Sequence, residues 1–183
     1  MKHIILITGN SRKLGEAKAA LVDFDIEVEN RQFDIDEIQS HDVTAIATDK
    51  ARKAYELVGK PVVVTDTSWD IPALHGFPGG YMKDVADWFE PIDFINLLSG
   101  HDDKSISFTE TIVYQDDKQT KIFSQKYMGK IADKPRGSGN SIEQLVEFDG
   151  FTIGERQQQG RFSHDPKDYV WYQFGQWFMS TLL

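Results

Sequence analysis

The chain has 183 residues, 40% of them hydrophobic and 27% charged; that is enough for one domain with a sizeable core, and no apolar run nears the ~20 residues a bilayer crossing needs. Lys+Arg total 20 against Asp+Glu 29, for a formal charge of −9, a field that repels polyanions and argues against nucleic acid as a partner. With no cysteine, disulfides, thiolate zinc sites and cysteine nucleophiles are excluded, and the cytoplasm is the default compartment.

Met1-Lys2-His3 leads into Ile4-Ile5-Leu6-Ile7, too short an apolar run for a signal peptide and read as a first strand over 4–8. Gly9-Asn10-Ser11 turns the chain, and Leu14, Ala17, Ala20 and Leu21 then recur at helical spacing. Ile26 to Phe33 alternates as a second strand, Val43 to Leu57 is a helix, and Pro61 to Asp66 is a buried strand ending on an acid. Gly76 to Tyr81 is a dense loop, and Pro91 to Leu98 a short helix. Ile106 to Tyr114 and Thr120 to Ile131 predict two strands joined in a hairpin around Asp116-Asp117-Lys118. Arg136 to Asn140 reads as a flexible loop, and a final helix starts after Pro166 with Tyr169, Trp171, Tyr172, Phe174, Trp177 and Phe178 supplying bulk. Strands alternating with helices imply an α/β fold with at least part of its sheet parallel. The expected organisation is one domain over 1–183 with two lobes and a central cleft.

Three segments carry candidate chemistry. Thr8-Gly9-Asn10-Ser11-Arg12-Lys13 lies where a strand feeds a helix, so backbone N–H groups and the helix dipole can meet a phosphate while Lys13 supplies charge. It lacks the Gly-Lys-Ser/Thr order of a Walker loop, and an ordinary capped helix start is the alternative. Glu37, Asp66 and Asp70 form an acid set: Asp66 ends a buried strand, where open α/β sheets place ligand sites, and Glu37 follows another strand. Hard oxygen ligands without thiolates suit Mg²⁺ or Mn²⁺ held jointly with substrate phosphates, whereas Asp70 reads better as a turn cap. In Phe77-Pro78-Gly79-Gly80-Tyr81-Met82-Lys83 paired glycines permit close backbone approach, and Lys83 stands within reach of a phosphate; a plain surface turn explains the glycines equally well. Ser163-His164-Asp165 is no hydrolytic triad, because adjacent side chains point apart.

Taken in order, Thr8-Gly9-Asn10 with Lys13, Asp34 to Glu37, Val64-Thr65-Asp66-Thr67, Ala73-Leu74, Gly76, Pro78-Gly79, Tyr81, Gly129-Lys130-Ile131 and Pro135-Arg136-Gly137 resemble the inosine triphosphate pyrophosphatase family. The resemblance implies an elongated two-lobed mixed sheet flanked by helices with a central cleft, and a homodimer. It implies Mg²⁺-dependent hydrolysis of ITP, dITP or XTP to the monophosphate and pyrophosphate, a house-cleaning role in the nucleotide pool. Asn10 and Lys13 would hold the triphosphate with Thr8, Lys50, Thr67, Lys83, Ser163 and His164. Glu37 and Asp66 would bind the metal, and Asp66 with Lys13 and Glu37 would make up the catalytic set, Asp66 orienting the attacking water.

The last quarter departs from the family pattern. Where members carry an aromatic-Asp-Pro segment that stacks on the purine, this chain has Gly139 to Val146, with Glu143 at the place of the family acid. Gln159-Gly160 replaces Lys-Asn, Asp165 replaces an arginine after Ser163-His164, and Thr65 stands where most members carry an acid. Loss of a stacking aromatic removes about 1–3 kcal/mol, and the reversed charge at 165 opposes an anionic ligand. Phe148, Phe151 and Phe162 are candidates for a substitute platform, with core packing the alternative. Two other readings stay open: a nucleotide-binding protein that has lost turnover, and a pyrophosphohydrolase with changed base specificity.

Overall fold

The computed structural model describes residues 2–40, 42–161 and 164–181. The strands and helices run β1 (Lys2–Ile7), α1 (Ser11–Leu21), β2 (Ile26–Arg31), α2 (Val43–Val58), β3 (Val62–Ile71), β4 (Phe77–Gly79), α3 (Met82–Trp88), α4 (Pro91–Leu97), β5 (Ser105–Gln115), β6 (Thr120–Ile131), β7 (Val146–Phe148), β8 (Phe151–Thr152), α5 (Ile153–Gln158) and α6 (Val170–Thr181). Among the described residues the sheet has the order β2-β1-β3-β5-β6-β7-β8, with β4 paired to β3. β1 is parallel to both β2 and β3, whereas β3–β4, β6–β7 and β7–β8 are antiparallel, so the sheet is mixed. No helix among the described residues is long and apolar enough to cross a membrane.

The chain divides into two compact units. The first comprises residues 1–66, 110–125 and 164–183. Its core forms because β1 is apolar on both faces. Ile5 and Ile7 pack with Val62 and Val64 of β3, Val113 of β5, and the small stripe Ala47, Ala51 and Ala54 of α2. Ile4 and Leu6 point the other way by the period of two and are buried as well, as are Ala17, Ala20 and Leu21 along one side of α1. Helix α6 packs on α1 and closes tightly, since a Cβ on Gly175 would lie 2.5 Å from the Phe24 ring. The expected hairpin is present at the ends of β5 and β6, where Asp116 accepts from the amides of Lys118 and Gln119 at 2.7 Å.

The second unit comprises residues 67–109 and 126–163. Phe108 stacks on Tyr127 with ring centroids 4.6 Å apart and meets Trp69 and Phe148 at 5.1 and 5.7 Å. Three expectations change here. The strand from 62 does not stop at Asp66 but continues to Ile71, because Trp69 to Ile71 find partners in β4. The loop read over Gly76 to Tyr81 contains that short strand, and directly after it comes α3, whose helical pattern from Met82 the neighbouring glycines and proline mask. The loop at 136–140 is pinned: Arg136 pairs with Glu147 at 2.6 Å, and Gly137 lies against the backbone of Gly154 and Glu155 so closely that no side chain fits.

Candidate functional site

Three parallel strands come level in the first unit. Ile7 of β1 is level with Arg31 of β2 and Val64 of β3, and the segments that follow carry Thr8 to Lys13, Glu37, and Thr65-Asp66. Although β3 runs on past Asp66, its pairing with β1 reaches Val64, opposite Ile7. Asp66 thus stands at the carboxyl edge of the parallel portion, the place where such sheets gather ligand groups.

The turn after β1 is built by its own side chains. Thr8 Oγ1 accepts from the Asn10 amide at 3.1 Å. Asn10 is the N-cap of α1, and its Oδ1 accepts from the amides of Arg12 at 2.9 Å and Lys13 at 3.3 Å. Two of the backbone N–H groups in the segment expected to meet a phosphate are therefore satisfied within the chain, as in the capped helix start that is the alternative. Charge at this turn comes instead from side chains. Lys13, half-buried, donates from Nζ to the carbonyl of Thr65 at 3.3 Å. Burial pulls the Lys13 ammonium below its ordinary pKa, and the carboxylates of Asp66 and Glu110 oppose that pull.

Behind this turn lie two acids that sequence reasoning missed. Glu110 on β5 is 2% exposed, and its Oε1 accepts from Thr65 Oγ1 at 3.1 Å. Glu16 on α1 is 1% exposed, pairs with Arg12 at 2.7 Å, and accepts from the Tyr169 hydroxyl at 3.4 Å, while its Oε2 has no hydrogen-bond partner among the described residues. Burial pushes the Glu110 carboxyl up to about 7, Glu16 adds to the push, and Lys13, Arg12 and the Thr65 hydroxyl resist it. The signal for Glu110 was present: β5 is buried on both faces, and an acid inside such a strand is rare without a partner. Perturbed, desolvated acids of this kind concentrate at functional sites.

Glu37 sits in the loop after β2, which is fastened to α2. Ile35 packs on the core, Lys53 donates to the Asp36 carbonyl at 2.7 Å, and Lys50 pairs with the Glu37 carboxylate. The sequence candidates Glu37 and Lys50 are thus brought together, as are Lys13, Thr65 and, by chain continuity, Asp66. No cluster of three or more acidic or histidine side chains suited to a metal occurs among the described residues. Two carboxylates still match what Mg²⁺ takes from protein when substrate phosphates complete its shell. In this structure Lys50 holds the Glu37 oxygen a cation would use.

The remaining candidates are placed as follows. Thr67 continues β3 in the second unit, and Lys83 is exposed on the first turn of α3. Asp70 is not a turn cap: it lies within β3 and pairs with Lys126 at 3.2 Å. Ser163 and Phe162 lie outside the described residues. The His164 amide donates to the Tyr169 hydroxyl at 3.3 Å, and Asp165 caps the turn Pro166–Asp168 by accepting from the Lys167 amide at 2.9 Å. Glu143, at the family acid's place, accepts from the Asn140 amide at 3.1 Å while its own amide donates back to Asn140. Phe148 is buried against Phe108, and Phe151 is 43% exposed with the Arg156 guanidinium 5.9 Å from its ring centroid.

The model of the Ham1 family matches residues 4–164 of this chain. A dITP/XTP pyrophosphatase of Methanosarcina acetivorans is 30% identical over 98% of this chain and 99% of its own length. An inosine triphosphate pyrophosphatase of Neurospora crassa is 36% identical over 99% of this chain and 95% of its own. Among solved structures, a HAM1 protein from Coxiella burnetii superposes with a TM-score of 0.78 at 25% identity, covering 98% of this chain and all of that one.

Proposed function

The chain belongs to the Ham1 family, and from that premise we propose that it is a nucleoside triphosphate pyrophosphatase acting on ITP, dITP or XTP. The observation that carries this reading is the convergence of Lys13 on Thr65 beside Asp66, at the end of the parallel strands. A half-buried lysine flanked by carboxylates suits an anionic, metal-bearing ligand better than a surface role.

Lys13 and Lys50 bind the triphosphate, with Asn10 and Thr8 shaping the turn they flank. Asp66 orients a water on the α-phosphorus and takes its proton as the α–β phosphoanhydride opens and pyrophosphate departs. Glu37 and Asp66 would hold Mg²⁺, which neutralises charge on the phosphoryl oxygens when bound. Lys50 would then exchange its partner Glu37 for a phosphate. His164 is a further substrate contact in this reading, and the working form is a cytoplasmic homodimer.

A second reading, altered base selectivity, is favoured by the segment from Gly139 to Leu145. It has no aromatic side chain, its Ile142 and Leu145 are buried, and Glu143 is engaged by Asn140. The test is pyrophosphate release, with and without Mg²⁺, from ITP, dITP, XTP, the standard triphosphates and modified pyrimidines. Metal-dependent release from ITP, dITP or XTP is expected. Release from other bases instead supports changed selectivity, and nucleotide binding without release overturns the enzymatic reading.

A further inference from the structure

Thr65 joins three parts of the molecule with its two polar ends. Its carbonyl receives the Lys13 ammonium at 3.3 Å, its hydroxyl donates to Glu110 at 3.1 Å, and its chain neighbour is Asp66. Thr65 and Glu110 are each 2% exposed. Among the described residues no ion pair joins Lys13 to Glu110; the hydrogen bonds that connect the two run through Thr65, while their charges also act on each other through space. A buried carboxyl so placed is costly in an ordinary core, where an apolar residue of similar volume serves as well or better. On its own face of the strand Glu110 follows Ile106 and Phe108 and precedes Ile112, all buried, while the buried polar residues Ser107 and Thr111 lie on the other face; an acid kept on that apolar face calls for a role.

We propose that Glu110 is a positioning residue for Lys13: by accepting the Thr65 hydroxyl it fixes the peptide whose carbonyl holds the lysine ammonium at the phosphate end of the site. This inference rests on the reading of Lys13 as a triphosphate-binding group. The role belongs to the hydrogen bond, so an uncharged isostere that still accepts from Thr65 preserves it. Glu110 is not a catalytic residue in this account, since it touches no reacting atom.

The test measures binding of inorganic tripolyphosphate by calorimetry without metal, alongside steady-state kinetics. Glu110→Ala and Thr65→Val each weaken tripolyphosphate binding about three- to tenfold, and the double variant loses no more than either single one, as expected for groups acting as one unit. Glu110→Gln stays within about twofold of the parent, because Gln Oε1 replaces the acceptor. Where turnover is measurable, Glu110→Ala raises KM with kcat nearly unchanged. Should Glu110→Ala fail to fold, the near-isosteric pair Thr65→Val and Glu110→Gln carries the test. Unchanged binding in Glu110→Ala or Thr65→Val, multiplicative losses in the double variant, or a Glu110→Gln as weak as Thr65→Val overturns the proposal. A parent chain that does not bind tripolyphosphate overturns it too. Tripolyphosphate binding with the expected variant pattern but no pyrophosphate release from any nucleotide defeats the enzymatic reading and leaves the positioning role standing.

Discussion

The turn after β1 and the segment from Pro135 to Asp168 both carry residues that the family resemblance assigns to substrate, and they have been put to different uses. In the first, the cap at Asn10 and the reach of Lys13 to Thr65 hold the cation beside Asp66. In the second, the side chains that differ from the family pattern serve local structure. Glu143 closes a turn with Asn140, Asp165 caps the turn at Pro166, and Gln159 accepts from Arg161 at 3.4 Å. On the proposed reading this contrast is expected, since phosphate and metal chemistry would demand particular charges in particular places, whereas contacts to a base can be exchanged for capping and packing.

The sharpest way to break this contrast is Asp66→Asn, which should lower kcat by about 10³-fold with little loss of fold; steady-state pyrophosphate release that is unaltered removes Asp66 from the mechanism. Lys13→Ala should raise KM for the triphosphate by about 10- to 100-fold while leaving kcat less affected, and a pure kcat loss would place the lysine in the chemical step instead.

Glu110 gives a measurement on stability. Its carboxyl titrates at about 7 when folded against an ordinary 4.5, so the folded chain binds this proton more readily than the unfolded one. The stability tied to it is present below the unfolded value and is lost as pH rises through the folded value. Glu110→Gln removes that loss and should be more stable than the parent by roughly 1–3 kcal/mol near pH 8, the difference vanishing near pH 4. Denaturant melts at the two pH values check it, and a difference independent of pH refutes the assignment. The smallest effect is expected at Asp165→Arg. Loss of the cap costs about 0.5–1 kcal/mol, seen as a lower midpoint of thermal unfolding, while the restored cation lowers KM by about two- to fivefold. An unchanged KM would show that position 165 no longer faces the ligand.

Elements with strong periodicity were legible in the sequence: β1, α1, α2, the β5–β6 pair and α6 form where the apolar spacing puts them. The parallel core was legible for the same reason, since a strand apolar on both faces needs helices on both sides. What escaped was short or masked. β7, β8 and α5 have two to six residues each, too few to show a period, and α3 follows directly on the glycine loop. Of the candidate site, Asn10, Lys13, Glu37 and Asp66 were picked out by motif order, because they follow strand ends. Glu110 and Glu16 were not, because their importance lies in burial and in partners distant along the chain, Thr65 and Tyr169. Lys50 was assigned by resemblance alone, and its pairing with Glu37 became visible only through the loop that Ile35 anchors.

The cap at Asn10 has a consequence for kinetics. A turn closed by its own side chain is set before any ligand arrives, so the conformational freedom of Thr8 to Lys13 is surrendered during folding and not during association. If Lys13 and Lys50 bind the triphosphate as proposed, encounter with it then requires that these two side chains change partners, a rearrangement of rotamers on the nanosecond scale. Capture would be governed by how often the anion meets a chain of net negative charge, and added salt, by screening that repulsion, would quicken it.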